Sequence, residues 1–342
     1  MKRSVSTYLI FILICNLSCI DPIELENPGS NPPYVIDGFI SNIEGPYRVM
    51  VSQSVPYSQE SFLLPNFIPV TDADVWIEDG SGNQVMLANN ENEPGAYLTN
   101  TDFCGKVGEM YKVVIKLSNG EVIESDYEEL LTPAPYKNLI ATTEIRSEIK
   151  NGILVKQPGE AIYVDFEDDA DTDNYYQWRW YSDYQMTKPL DPVPCYLRIN
   201  DKDNIAIFAD TERNGERLMQ LVDFIEYREI VDISDKYLLS AEQHSISAGY
   251  YRYLDLINTQ RSSQGTIFDP IPASIDGNLH FTNNENVVLG YFHTSSIVVK
   301  RIEIPNLRLN YAAFTECSPI TFPVCYDCSR IFGSTRTRPE YY

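Results

Sequence analysis

Residues 109–125 read EMYKVVIKLSNGEVIES, and their pattern decides the fold class. Tyr111, Val113, Ile115 and Leu117 alternate with Lys112, Val114 and Lys116, so an extended backbone places an apolar face against a mostly charged one. Asn119-Gly120 tolerates the positive φ angles of a type I′ turn, and Glu121–Ser125 returns as the second arm. The stretch is a β-hairpin with one face on a core.

Comparable short patterns surround it: Tyr34–Ile40, Tyr47–Ser52, Ala73–Asp79, Gln84–Leu87 and Ala96–Thr99, with a further turn at Asp79-Gly80-Ser81-Gly82. Turn signals at this spacing predict a sandwich, and residues 34–132 are expected to form an immunoglobulin-like one. Tyr57–Val70 does not alternate and reads as a loop whose apolar side chains either fold back onto the sandwich or form a contact surface. Leu131-Thr132-Pro133-Ala134-Pro135 interrupts strand pairing and marks a domain boundary. Strand patterns resume at Leu139–Ile145, Ile153–Lys156, Ala161–Phe166, Tyr175–Tyr181, Tyr196–Asn200 and Ile205–Ala209, whereas Glu216–Ile225 fits strand or helix. Tyr250, Tyr253, Leu254 and Ile257 follow the i, i+3, i+4, i+7 spacing of one helix face, with Ser247 as N-cap. Val287–Phe292 and Ile297–Ile304 then close the second sheet. The expected fold is mainly β, with two β-sandwich-like domains, the first immunoglobulin-like and the second, residues 133–342, carrying one or two added helices.

The first residues decide the cellular address. Lys2 and Arg3 precede an unbroken apolar run, Tyr8–Cys15, and Ser18 places a small residue before Cys19. Eight apolar residues are too short to span a bilayer, so residues 1–18 read as a lipoprotein signal peptide and Cys19 as the lipidated residue. Residues 19–33, rich in Pro, Gly, Asn and acidic side chains, form a flexible tether. Ile20 lacks the aspartate that resembles an inner-membrane retention signal, which favours the outer membrane. The formal net charge is −23, and no Lys/Arg cluster occurs, so a nucleic-acid partner is excluded.

Of the seven cysteines, Cys15 and Cys19 belong to the exported N-terminus. An oxidising compartment favours disulfides among Cys195, Cys317, Cys325 and Cys328, with Cys325 and Cys328 going separately to Cys195 and Cys317 and stapling the tail to the second domain. Cys104 is then the free thiol.

Candidate chemistry is sparse. Asp169, Asp171 and Asp173 open like a calcium loop, but the sixth and twelfth positions hold Asn174 and Trp180 instead of the required Gly and Glu, so this is a weak calcium candidate. His244, His280 and His293 show no metal-ligand spacing and read as surface or half-buried strand residues. No cofactor and no catalytic set is expected. Tyr176, Trp178 and Trp180 share one face of their strand and form either an aromatic platform for a glycan or peptide or, as core residues, the inner face of the second sheet.

The stretch YYRYLDLINTQRSSQGTIFDPIPASIDGNLHFTNNENVVLGYF (250–292), CYDC (325–328) and SCIDPIEL (18–25) together resemble Domain of Unknown Function 4249, and the segment running from the helix through GN to GYF is the most specific part. The resemblance spans essentially the whole mature chain. It departs at Asn16 in the lipobox and at the C-terminal Pro339-Glu340-Tyr341-Tyr342. It implies an outer-membrane lipoprotein of Bacteroidetes-type bacteria, of a kind that often accompanies TonB-dependent receptors. Asp21, Glu24 and Glu26 after Cys19 resemble a surface-export signal. The expectation is therefore a non-enzymatic, surface-facing accessory or ligand-capture subunit of a TonB-dependent uptake system. The alternatives are an adhesin or structural surface protein, or a hydrolase whose site is assembled from distant residues.

Overall fold

The structure, a computed structural model, describes residues 32–55, 67–134, 136–150, 153–167, 173–188, 191–200, 205–210, 217–226, 236–262, 275–304 and 333–339. Cys19 and the signal peptide lie outside these residues, as do Asp169, Asp171, Cys317, Cys325 and Cys328.

The chain is mainly β. The N-terminal strands are β1 (Tyr34–Ser41), β2 (Arg48–Ser54), β3 (Phe67–Pro69), β4 (Asp74–Asp79), β5 (Gln84–Met86), β6 (Ala88–Asn89), β7 (Ala96–Leu98), β8 (Met110–Lys116), β9 (Val122–Ser125) and β10 (Glu128–Glu129). There follow β11 (Asn138–Lys150), β12 (Ile153–Glu167), β13 (Tyr175–Lys188), β14 (Asp191–Asn200), β15 (Ala206–Ala209), β16 (Arg217–Glu226) and β17 (Lys236–Ile246). A helix, α1 (Ala248–Ser262), precedes β18 (Leu279–Phe281), β19 (Val288–Ile304) and β20 (Ser334–Thr335). The segment that fitted strand or helix is thus the strand β16. The two closing strands are one, because nothing between Phe292 and Ile297 breaks the extended backbone.

Among the described residues, eleven strands form one sheet along the path β20-β14-β13-β17-β19-β1-β2-β7-β6, with β15 on β13 and β3 on β2. Six strands form a second sheet, β18-β9-β8-β4-β5 with β10 on β8, and three form a third, β11-β12-β16. The quoted hairpin is β8–β9, but its turn is not the two-residue type I′: the Gly120 N–H donates to the Leu117 carbonyl and the Leu117 N–H to the Glu121 carbonyl, both at 2.9 Å, so Ser118–Gly120 form a three-residue loop in which Gly120 takes φ +89°. Tyr111, Val113, Ile115 and Leu117 are buried in the first core, while Lys112 on the other face pairs with Glu124 at 2.8 Å.

The long strand β19 sets the layering. Its first half pairs in parallel with β1, Tyr34 opposite Val288 through Ser41 opposite Ser295, and its second half pairs antiparallel with β17. On one face Phe292 enters the first core, Thr294 Oγ1 and Ser296 Oγ donate to the carbonyls of Glu129 and Leu131, and Val298, Ile302 and Ile304 enter the second core. The six-stranded and three-stranded sheets therefore lie side by side over one face of the large sheet, with the 129–134 connection strapped between them. The first core also contains Leu279, Phe281 and Val288 from late in the chain. On the opposite face sits α1: the Ser247 hydroxyl accepts from the Tyr250 N–H at 3.1 Å as its cap, and Tyr250 and Leu254 are buried.

Candidate functional site

Strand alternation sorts β13 into two faces with different fates. Tyr176, Trp178 and Trp180 point into the second core beside Phe166, Tyr136 and Leu239, and Trp178 is only 2% exposed. Their rings pack edge-on, Tyr136 against Trp178 at 5.1 Å and Phe166 against Tyr176 at 5.6 Å. The three-stranded sheet covers them, so they are interior packing and not an exposed platform for a glycan or peptide.

The other face of the large sheet gathers polar groups from four strands beneath α1. Register places Gln177 opposite His244, Arg179 opposite Glu242, and Phe39 opposite His293. His293 is stacked between two rings, Tyr250 at 3.7 Å and Phe39 at 5.3 Å, with interplanar angles of 13° and 14°. Both of its ring nitrogens are buried with no hydrogen-bond partner among the described residues. The Arg179 guanidinium lies 5.3 Å from the Phe39 ring centre, a cation–π contact. His244 Nδ1 is 3.0 Å from Ser295 Oγ, and Nε2 is 3.4 Å from Glu242 Oε2.

These surroundings fix the charges. Burial pushes the His244 imidazole below its ordinary pKa, opposed by its hydrogen bond to Glu242 and reinforced by Arg179. His293 is pushed well below, by burial first and then by Arg179 and His244. Burial raises Glu242, but the hydrogen bond and charge of His244, with Arg179 and Arg301, outweigh it and leave the carboxyl net lowered. At neutral pH the cluster is a carboxylate beside two neutral imidazoles. Nearby, Tyr291 donates to Glu128 Oε1 at 2.7 Å, and burial holds the Glu128 carboxyl above its usual range, opposed by the hydrogen bonds of Ser247 and Tyr291.

The sequence offered no reason to choose Glu242, His244 and Ser295 from among many similar residues. Glu242 and His244 are two apart and share a strand face, but Ser295 arrives from β19 about fifty positions later. The resulting carboxylate–imidazole–hydroxyl series has the order of a nucleophilic triad. Its hydroxyl is fully buried in the sheet, so it meets no substrate in this conformation. The expectation of surface or half-buried histidines is corrected for His244 and His293, which are interior. His280 is half-exposed on β18, near Glu124 and Asp126. Asp173 is exposed just before β13. Among the described residues no group of three or more His, Cys, Asp or Glu is arranged to hold a metal ion. Of the two described cysteines, Cys104 is a free, exposed thiol and Cys195 is buried.

A family model described as a domain of unknown function, DUF4249, matches residues 20–301. The chain belongs to the DUF4249 family. The match takes in every residue of the buried cluster, from Phe39 to Ser295, and stops near the end of β19. Among curated proteins none matches the chain. The DUF4249 segments GN and GYF meet in the structure. Asn278 Nδ2 donates to the Phe292 carbonyl at 2.8 Å, and Asn278 Oδ1 accepts from the Phe292 N–H at 3.0 Å, as a neighbouring strand would. No helix among the described residues is long and apolar enough to cross a membrane.

Proposed function

We propose that this protein is a surface-facing outer-membrane lipoprotein, anchored through Cys19, that serves as a non-enzymatic accessory or ligand-capture subunit of a TonB-dependent uptake system. The anchor rests on the charged start, short apolar run and Ser18-Cys19 of the N-terminus. The observation that carries the non-enzymatic part is the burial of the histidine cluster: both imidazoles and the Ser295 hydroxyl are buried, His293 between the Tyr250 and Phe39 rings, and they present no reactive atom at the surface. Any glycan or peptide ligand is captured on surfaces other than the Trp178 face. The tail is stapled to the second domain through Cys195, with Cys317, Cys325 and Cys328 as the other disulfide residues.

Palmitate labelling lost on Cys19→Ala, together with recovery of a TonB-dependent receptor in affinity pull-downs from outer membranes, is the expected result. Labelling that survives the substitution overturns the anchor, and pull-downs that never recover a receptor overturn the uptake role. One observation favours a second reading, a hydrolase: the Ser295–His244–Glu242 series. Hydrolysis of a generic ester that disappears with Ser295→Ala is the result that reading requires. An adhesin or structural surface protein is the reading left if neither receptor nor hydrolysis is found.

A further inference from the structure

The second core is not wholly apolar. Gln243 on β17 is 1% exposed, and both ends of its amide, Oε1 and Nε2, are without a hydrogen-bond partner among the described residues. Register sets it opposite Trp178 of β13 and Val298 of β19, both of which pack in that core. The indole Nε1 of Trp178 and that of Trp180, one pleat further along the same face, are also buried and unpartnered among the described residues. Native interiors leave few such atoms, because each has given up its bonds to solvent without replacement. Turning the amide over is no remedy, since its oxygen and its nitrogen alike lack partners.

The segment above Gln243 explains why the chain does not answer these groups itself. It is the connection between the cores, with Leu130 in the first and Tyr136 in the second. It is tied to β17 on either side of Gln243: the Ala134 N–H donates to Ser245 Oγ at 3.3 Å, and the Tyr136 hydroxyl donates to the Ala241 carbonyl at 2.8 Å. Ala241, Gln243 and Ser245 share one face of their strand. Both donors are thus spent beside the glutamine. Pro133 and Pro135, the neighbouring residues of the connection, have no N–H to give. An apolar residue at 243 would need no partner, whereas a glutamine needs one at each end of its amide.

We propose that the second core holds resident water at Gln243, between its amide and the Trp178 indole N–H and beneath the connection at Ala134 and Tyr136. Water is the guest that fits these atoms. It donates to Oε1 and accepts from Nε2 and from the indole Nε1, in the manner of an internal water with about two to four polar partners. The site is closed to a larger ligand, because Tyr136 and Trp178 are 1% and 2% exposed. Water held there leaves only when the connection lifts from β17, so its residence time reports that opening.

The test reads water at the tryptophan indole N–H groups of the isotope-labelled full-length protein in detergent. Rotating-frame NMR is used, in which dipolar contact with bound water and proton exchange with solvent give cross-peaks of opposite sign. The chain has three tryptophans, and the indole signal that Trp178→Phe removes is the one from Trp178. That signal is expected to show a dipolar water cross-peak, and Gln243→Leu, which takes away both ends of the amide, is expected to abolish it. A thermal melt shows whether Gln243→Leu folds. If it does not, Gln243→Met, unbranched and of nearly the same length, takes its place with the same loss expected, and the parent spectrum is decisive by itself. A parent protein without a dipolar water cross-peak at Trp178 overturns the proposal, because the core is then dry. A cross-peak that is unchanged in the folded Gln243 variant also overturns it, because the water is then held by other groups.

Discussion

His293 lies between two aromatic rings with neither nitrogen hydrogen-bonded among the described residues, which makes its protonation a matter of stability. Its ordinary pKa is 6.5, and burial beside Arg179 and His244 holds the folded value well below that. As pH falls through about 6.5 the unfolded chain takes up a proton that the folded one refuses, so stability drops by up to about 1.4 kcal/mol per pH unit until the folded value is reached. Glu128, raised by burial, works in the opposite direction, so the comparison is with a variant and not with absolute values. His293→Phe keeps a three-ring stack and removes the proton acceptor. Its denaturation midpoint is expected to fall less steeply than the parent's between pH 7 and pH 5. Parallel curves would mean that His293 is already solvated or charged in the fold. None of this burial was legible locally: His293 sits in a stretch of mixed polarity, HTSSIVVKRIEI, and both faces of its strand are covered, so alternation carries no sign of which residues are inside.

At the scale of elements, the junction of β1 and β19 depends on two glycines. A Cβ on Gly290, whose φ is +102°, would lie 1.8 Å from the Ile36 carbonyl oxygen, and one on Gly277 would lie 1.7 Å from the Gly290 oxygen. Three backbone segments are thus in contact where any side chain would part them. Gly290→Ala is expected to cost more than about 4 kcal/mol, since strained backbone and steric overlap act together. Denaturant titration checks this, and a change within about 0.5 kcal/mol would show that the strands separate without cost. Other elements were readable from residues near one another. Asn119-Gly120 announced its turn, and Ser247 with Tyr250 and Leu254 announced α1, because capping and helix periodicity act over a few positions. The stapling of α1 to the sheet was not. It rests on Tyr250 and Tyr253 against Tyr291 at 5.1 and 5.0 Å, and on Tyr251 against Tyr175 at 5.1 Å, ring pairs that only the tertiary path creates.

For the whole molecule, the first core is not made by the first part of the chain. Leu130 belongs to it and Tyr136 to the second core, yet Leu279, Phe281, Val288 and Phe292 complete it from the far end, and β18 pairs with β9. A fragment of residues 20–134 lacks these side chains and the parallel partner of β1. It is expected to show no native-like chemical-shift dispersion and no cooperative melt, because both an apolar face and a strand edge would be open to water. A fragment that melts cooperatively would show that β18 and β19 are additions to a self-sufficient sandwich. The sequence by itself determined what depends on near neighbours: strand alternation, the turn at Gly120, the cap at Ser247 and the mainly β class. Only the tertiary structure decided that β1 lies parallel to β19, that the tryptophans of β13 face inward, and that Glu242, His244 and Ser295 meet. The physical reason is that a parallel pairing across some 250 residues has no local signal. It is selected by burial of whole faces, which no short stretch of the chain expresses alone.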